Sequence, residues 1–187
     1  MALNMSLANH LLIAMPSLND PNFKRAVVYV CEHHAQGAVG LMINRPMQYP
    51  LGIVFDQLQI QPKRSERSLM PLLFGGPMQP DRGFVIHRPF GDWRSSLLLR
   101  DDVTVTTSND IIRAIAEEHG PKDVLVTLGY TAWGENQIEK EIMENSWLVC
   151  PSTPELLYDV PFEERWEYAG LTIGVKMSEL TSSVGHA

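Results

Sequence analysis

Between residues 71 and 106 the chain runs through four strand-like segments with no helix between them. Residues 72–74, 84–87, 96–99 and 103–106 are apolar or β-branched, and Gly75-Gly76-Pro77 and Pro89-Phe90-Gly91-Asp92 break them apart. Parallel neighbours need a crossover of a dozen or more residues, usually a helix, whereas strands with short breaks join antiparallel. A doubly wound parallel sheet therefore fits poorly. An α+β fold with a mainly antiparallel sheet is expected.

The rest of the chain supplies more of both elements. Residues 10–15 form a short apolar run stopped by Pro16, and SLNDPNF (17–23) is turn chemistry. Residues 26–32 and 37–44 read as two strands joined by HHAQG, a link of hairpin length. Residues 124–129 and 147–150 bring the total to about eight strands. Helical spacing recurs at Leu51, Val54, Phe55 and Leu58 after Pro50. It recurs again over 109–119, where Ser108 is the expected N-cap and Gly120-Pro121 the stop. Residues 134–145 read as a helix with Ile138 and Ile142 inward, and shorter helical pieces are expected at 154–159 and 161–169. The tail from Ser178 is expected to fray. With 187 residues the chain can bury roughly 70% of its unfolded surface, so one domain over residues 1–187 is expected.

Fifteen basic and 22 acidic side chains give a formal charge of −7. The one basic cluster is PKRSERS (62–68), which reads as a charged surface loop. The 109–119 helix sets Arg113 against Asp110, Glu117 and Glu118, so no basic recognition helix is present and specific DNA binding is not expected. The first residues lack a positive region, their apolar run at 11–15 is shorter than a signal peptide requires, and no stretch approaches a membrane span. A cytoplasmic protein without membrane association is the expectation. Cys31 and Cys150 do not make a disulfide framework, and free thiols are expected.

Six blocks are distinctive in series: HLLIAMPSL (10–18), DPNFKRAVVYVCEH (20–33), GAVGLMINRP (37–46), GGPMQPDRGFVIH (75–87), LGYTAWGENQIEKEIMENSWL (128–148) and LTIG (171–174). In this order, over nearly the whole chain, they resemble the YqgE/AlgH family of bacterial proteins. Ala26 stands where that pattern has Ser, and Thr131 where it has Ala. The resemblance implies a sheet that is split and strongly bent into a pseudo-barrel, with helices packed outside. It implies a small bacterial cytosolic protein. One branch of the family carries the label of alginate or transcriptional regulator. The resemblance brings no reaction and no set of catalytic residues.

Three groups of residues could carry chemistry. In Cys31-Glu32-His33-His34, strand alternation puts Cys31 and His33 on one face, where the imidazole could activate the thiol. Two ligands at i and i+2 do not close a four-coordinate site, so no metal is expected, and the preferred reading of Cys31 is a core thiol as the strand emerges into its hairpin. The second group is Asn44, Arg45, Asp81, Arg82 and His87, all near strand ends. It reads as an anion or ligand site, or else as Arg45 or Arg82 paired with Asp81 or another carboxylate to pin loops, the reading we favour. Third, Trp133 before the 134–145 helix lines a pocket or packs the corner, while Glu135, Glu139 and Glu141 are expected to coat a solvent face. The chain lacks a G-x-S-x-G elbow, a Walker A loop and an H-E-x-x-H helix. The expected function is a non-enzymatic regulatory role through a small ligand or a protein partner, with no cofactor. The alternatives are an enzyme or redox sensor built on Cys31 or on the Arg45/Asp81/Arg82/His87 group, and a transcriptional regulator.

Overall fold

The computed structural model describes residues 5–180. Nine strands form one sheet: β1 (His10–Ala14), β2 (Val27–His34), β3 (Gly37–Met42), β4 (Leu72–Phe74), β5 (Met78–Arg88), β6 (Ser96–Leu98), β7 (Thr104–Thr106), β8 (Asp123–Trp133) and β9 (Trp147–Pro151). Their spatial order is β6-β7-β5-β8-β3-β2-β1-β9, with β4 alongside β8. Every pairing is antiparallel except β4 with β8. The helices are α1 (Gly52–Gln57), α2 (Asn109–Ala116), α3 (Gln137–Met143), α4 (Arg165–Thr172) and α5 (Met177–Leu180). The fold is α+β, with a mostly antiparallel sheet curled into a half-barrel.

Side-chain alternation explains the curl. On the inner face Leu11, Ile13, Val27, Tyr29, Leu41, Phe84, Ile86, Val105 and Leu125 converge on a single apolar cluster, which Leu156, Leu157, Trp166 and Ala169 close from the other side. The outer face divides. Leu12, Val28, Val30 and Met42 pack with Ile138 of α3, whereas Val85 and Val126 pack with Phe55 of α1 and Ile111, Ile112 and Ile115 of α2. Strands β1 to β3 are thus apolar on both faces because both are covered. Each of the fully buried isoleucines of α2 contributes roughly 1.5–3 kcal/mol by leaving water.

Strand β8 belongs to both halves of the half-barrel. Residues Asp123 to Leu128 pair with β5, Val126 to Leu128 pair on the opposite edge with β4, and Thr131 to Trp133 pair with β3. Between them Gly129 turns at φ +76°. There Gly75 and Gly76 lie directly against the β8 backbone. The Gly75 N–H donates to the Leu128 carbonyl at 2.8 Å, and the Gly75 carbonyl accepts from Met42 N–H at 2.8 Å. A Cβ on Gly75 would stand 2.4 Å from the Gly129 oxygen, and one on Gly129 2.2 Å from the Gly76 oxygen. The turn expected at 75–77 is therefore also a backbone-to-backbone junction.

Several boundaries differ from expectation for local reasons. The 134–145 helix is shorter, Gln137–Met143, because Asn136 adopts φ 58°. Ser108 stands at the N-cap, but its hydroxyl goes to the Asp110 carboxylate, and it is Asp110 that takes the Ile111 and Arg94 N–H groups. The 154–159 piece is a π-helical turn, Glu155–Asp159, and 161–169 splits into a short 3-10 turn followed by α4. In the tail, residues 178–180 are helical and the remainder lies outside the described residues.

Gly129 and Gly174 offer a matched pair, since both have φ near +75° but a Cβ on Gly174 meets nothing within 4 Å. Gly174→Ala should cost about 1 kcal/mol, the left-handed backbone penalty alone. Gly129→Ala should cost at least ~3 kcal/mol or prevent folding, since it adds overpacking against backbone that has no room to shift. Urea unfolding of the two variants checks the difference.

Candidate functional site

The Cys31 stretch folds differently from simple alternation. In the β2–β3 ladder Val30 faces Gly40 and Glu32 faces Val39, so Cys31 is the extra residue of a β-bulge. The bulge separates the pair expected to share a face. Cys31 joins the inner cluster, while His33, opposite Ala38, points outward toward α3. Cys31 is 5% exposed, and its thiol reaches only the Tyr29 carbonyl at 3.9 Å. Burial, then the nearby Glu32 charge, pushes its pKa far up. Cys150 is likewise a buried free thiol, raised to about 11 by burial against a contact with Thr172.

His33 is bonded at both ring nitrogens. Nδ1 accepts the Leu7 N–H at 2.9 Å, which leaves Nε2 protonated to donate to Glu139 Oε1 at 2.6 Å. Burial raises the Glu139 pKa, but the bond from His33 carries it net below the ordinary value. Glu141 Oε2 accepts both indole N–H groups, from Trp133 at 3.0 Å and from Trp147 at 2.9 Å. Glu139 and Glu141 therefore do not coat a solvent face as expected. The indoles and the imidazole need acceptors, and α3 supplies them. Trp133 itself is buried, edge-on to Trp147 at 6.0 Å.

The second group does not assemble into one site. Asn44 accepts the Val27 N–H at 2.9 Å and donates to the Arg25 carbonyl at 2.8 Å. Arg45 donates to the carbonyls of Pro21, Asn22 and Lys24, and burial lowers its pKa. Arg82 lies over Phe84 at 5.2 Å and Tyr130 at 5.9 Å. Asp81 is exposed at the rim of a cavity of about 210 Å³ between β5, β8, α1 and α2. His87 is wholly buried, with Nδ1 donating to the Pro89 carbonyl at 3.1 Å and Nε2 accepting from the Thr106 hydroxyl at 2.7 Å. Arg45 thus holds a loop, but through backbone carbonyls rather than through the carboxylate partner expected from sequence.

A larger cavity of about 420 Å³ lies beside α2, lined by Arg94, Asp110, Arg113 and Glu117 among others, and two more stand elsewhere. One, of about 390 Å³, has Cys31 at its floor, with Asn9 and residues 97–100 around it. The other, of about 590 Å³, lies between the 15–25 segment and Trp166 of α4, with Lys24 and Arg25 beside it. Sequence reasoning gives Lys24 and Arg25 no role, though a Lys-Arg pair in a turn next to a strand is a signal, and it reads Trp166 as a core or interface anchor, which the burial of that side chain matches. It also missed Arg165, buried, bonded to the carbonyls of Val160 at 2.8 Å and Ile43 at 2.7 Å, with its pKa lowered to about 10 by burial. Among the described residues no three His, Cys, Asp or Glu side chains gather as metal ligands would, and no helix is long and apolar enough to cross a membrane.

A family model described as AlgH-like matches residues 11–178. The chain belongs to that family. This AlgH-like chain is 71% identical to a UPF0301 protein of Legionella pneumophila over the full length of both. It is 45% identical to one of Chromobacterium violaceum, covering 98% of this chain and 99% of the relative. The solution structure of the AlgH protein from Pseudomonas aeruginosa superimposes with a TM-score of 0.81 at 42% identity, over 100% of this chain and 99% of the other. A crystal structure of a Corynebacterium diphtheriae protein, at 19% identity, shares the fold with a TM-score of 0.71, over 96% of this chain and 94% of that one.

In this AlgH-like chain burial holds the His87 pKa below its usual 6.5, against the upward pull of the Pro89 carbonyl. The folded state then binds fewer protons than the unfolded one in the window just under pH 6.5. Stability from His87 is complete above that value and is lost as pH falls through the depressed folded pKa, with a slope of at most about 1.4 kcal/mol per pH unit. Urea midpoints between about pH 7 and pH 5 should fall less steeply in His87→Gln than in the parent.

Proposed function

We propose that the chain is a non-enzymatic protein with a regulatory role, exerted through a small ligand or a protein partner. The observation that carries this reading is that the groups fit for chemistry are already committed. His33 and His87 are each bonded at both nitrogens. Arg45 is occupied by three carbonyls, and the Cys31 thiol is kept protonated by its surroundings. A nucleophile needs its thiolate and a base with a free nitrogen. The cavities are instead lined by groups suited to recognition.

The same bookkeeping weighs against a transcription factor. Of the basic loop at 62–68, Arg64 and Arg67 both reach Glu118, at 3.3 and 3.6 Å, which diminishes the charge available to DNA phosphates. The rival reading, a redox sensor or enzyme built on Cys31, draws on one fact: the thiol floors the cavity of about 390 Å³.

Alkylation separates the two. Cys31 should react with iodoacetamide at neutral pH at least about tenfold more slowly than free cysteine, because its thiolate fraction is suppressed. Cys31→Ser should leave ligand retention intact, as read by native mass spectrometry of protein purified from its own host. Labelling faster than free cysteine would sink the non-enzymatic reading.

A further inference from the structure

Arg25 enters β2 at φ 56°, a conformation that glycine adopts freely and arginine does not. Two side chains from the end of β3 hold it there. Asn44 binds the Arg25 carbonyl, and Arg45 binds those of Lys24, Asn22 and Pro21. From within the loop, Asp20 takes the Asn22, Phe23 and Lys24 N–H groups. A turn tied at this many points fixes the direction of its side chains. Lys24 and Arg25 border the cleft of about 590 Å³, whose other walls are Met15, Pro16, Leu18 and Trp166. The Arg25 guanidinium lies 4.7 Å over the Trp166 ring, itself anchored by an indole N–H bond of 2.8 Å to the Ala14 carbonyl.

The charge here is uncompensated. Neither Lys24 nor Arg25 forms an ion pair among the described residues, whereas Arg64, Arg67, Arg88, Lys140 and Lys176 do. The cavity beside α2 that also has two arginines, Arg94 and Arg113, carries Asp110 and Glu117 with them. On a chain of net charge −7, two adjacent unpaired cations on an immobilised turn are a place made for an anion.

Deepening the reading of a ligand-binding protein, and resting on it, we propose that this cleft binds a phosphorylated small molecule. The stacked guanidinium keeps its N–H edge for two phosphate oxygens, and the Lys24 ammonium supplies the second charge. Met15 and Leu18 give an apolar wall to the organic part. The volume is that of a small-molecule site.

The test is a titration of the ¹⁵N-labelled full chain at low salt with adenosine monophosphate, inorganic phosphate and adenosine. It reads the Trp166 indole N–H and the amides of Lys24 and Arg25. The monophosphate should shift these signals saturably, with affinity of roughly millimolar or tighter. Phosphate should shift the same set more weakly, and adenosine should not. Arg25→Gln should weaken binding about tenfold or more, and Lys24→Gln severalfold. Arg25→Gly relieves the backbone, so it should abolish binding without lowering the thermal midpoint.

No saturable shift up to about 10 mM monophosphate, a millimolar site being visible there, overturns the proposal. So do shifts unchanged in Arg25→Gln. A lowered midpoint with binding retained in Arg25→Gly overturns it as well, because the arginine would then serve only to cover Trp166. Shifts confined to Asn9, Cys31 and Leu97 overturn this site while leaving the ligand-binding reading standing. That reading fails on Cys31 alkylation, which the titration does not measure.

Discussion

The half-barrel depends on one contact between bare backbones. Where Gly75 and Gly76 meet Gly129, no Cβ stands between the end of β4 and the middle of β8, and hydrogen bonds from Met42 to Gly75 and from Gly75 to Leu128 pass through that point. Strand β8 trades β4 for β3 along one edge while keeping β5 on the other. The exchange requires β3 and the end of β4 to approach the same short stretch. Side chains there would hold them apart by more than a hydrogen bond can span. The inner cluster, the two outer clusters and the cavities all follow from β8 serving both halves.

The polar residues that stand out in this chain serve mostly as ties. His33 joins the backbone at Leu7 to α3, Arg45 and Asn44 hold the 20–25 turn, Glu141 joins two tryptophans, and Arg165 joins the π-helical turn to the end of β3. Most of these bonds end on backbone carbonyls or on indole N–H groups. At the buried ties, those of Arg165 and of the indoles, a carbonyl or N–H left without a partner costs roughly 1–3 kcal/mol, which an apolar residue in place of Arg165 or Glu141 would incur. Ties of this kind make a rigid frame, and the unpaired Lys24 and Arg25 owe their fixed position to one.

Much of the fold was legible because periodicity and strand succession are local. The antiparallel sheet could be read from residues 71–106, and the two-faced burial of β2 from its unbroken Val and Tyr run. What could not be read depends on partners distant in sequence. The bulge at Cys31 arises from how Gly40 and Val39 register against β2, and nothing in CEHH itself announces an extra residue. Gly129 reads as the end of a strand, and only its contact with Gly76 makes it a midpoint. Glu139 and Glu141 have the look of surface residues until His33, Trp133 and Trp147 arrive as donors. The sequence suggests a carboxylate partner for Arg45, whereas its partners are the carbonyls of the 20–25 turn, and which cations that turn displays is a three-dimensional fact.

The place of β8 in the sheet has a consequence for synthesis. Strands β1, β2 and β3 leave the ribosome as a meander whose far edge, Ala38 to Gly40, is completed only by Thr131 to Trp133. Strand β1 likewise lacks its outer neighbour until residues 147–151 are made. Until then both edges of a strongly apolar three-stranded unit stand open, and such edges recruit whatever strand is nearby. The nascent chain is therefore most exposed to misassociation until the β8 residues close the β3 edge, and the β1 edge stays open for the further stretch of synthesis that ends with β9.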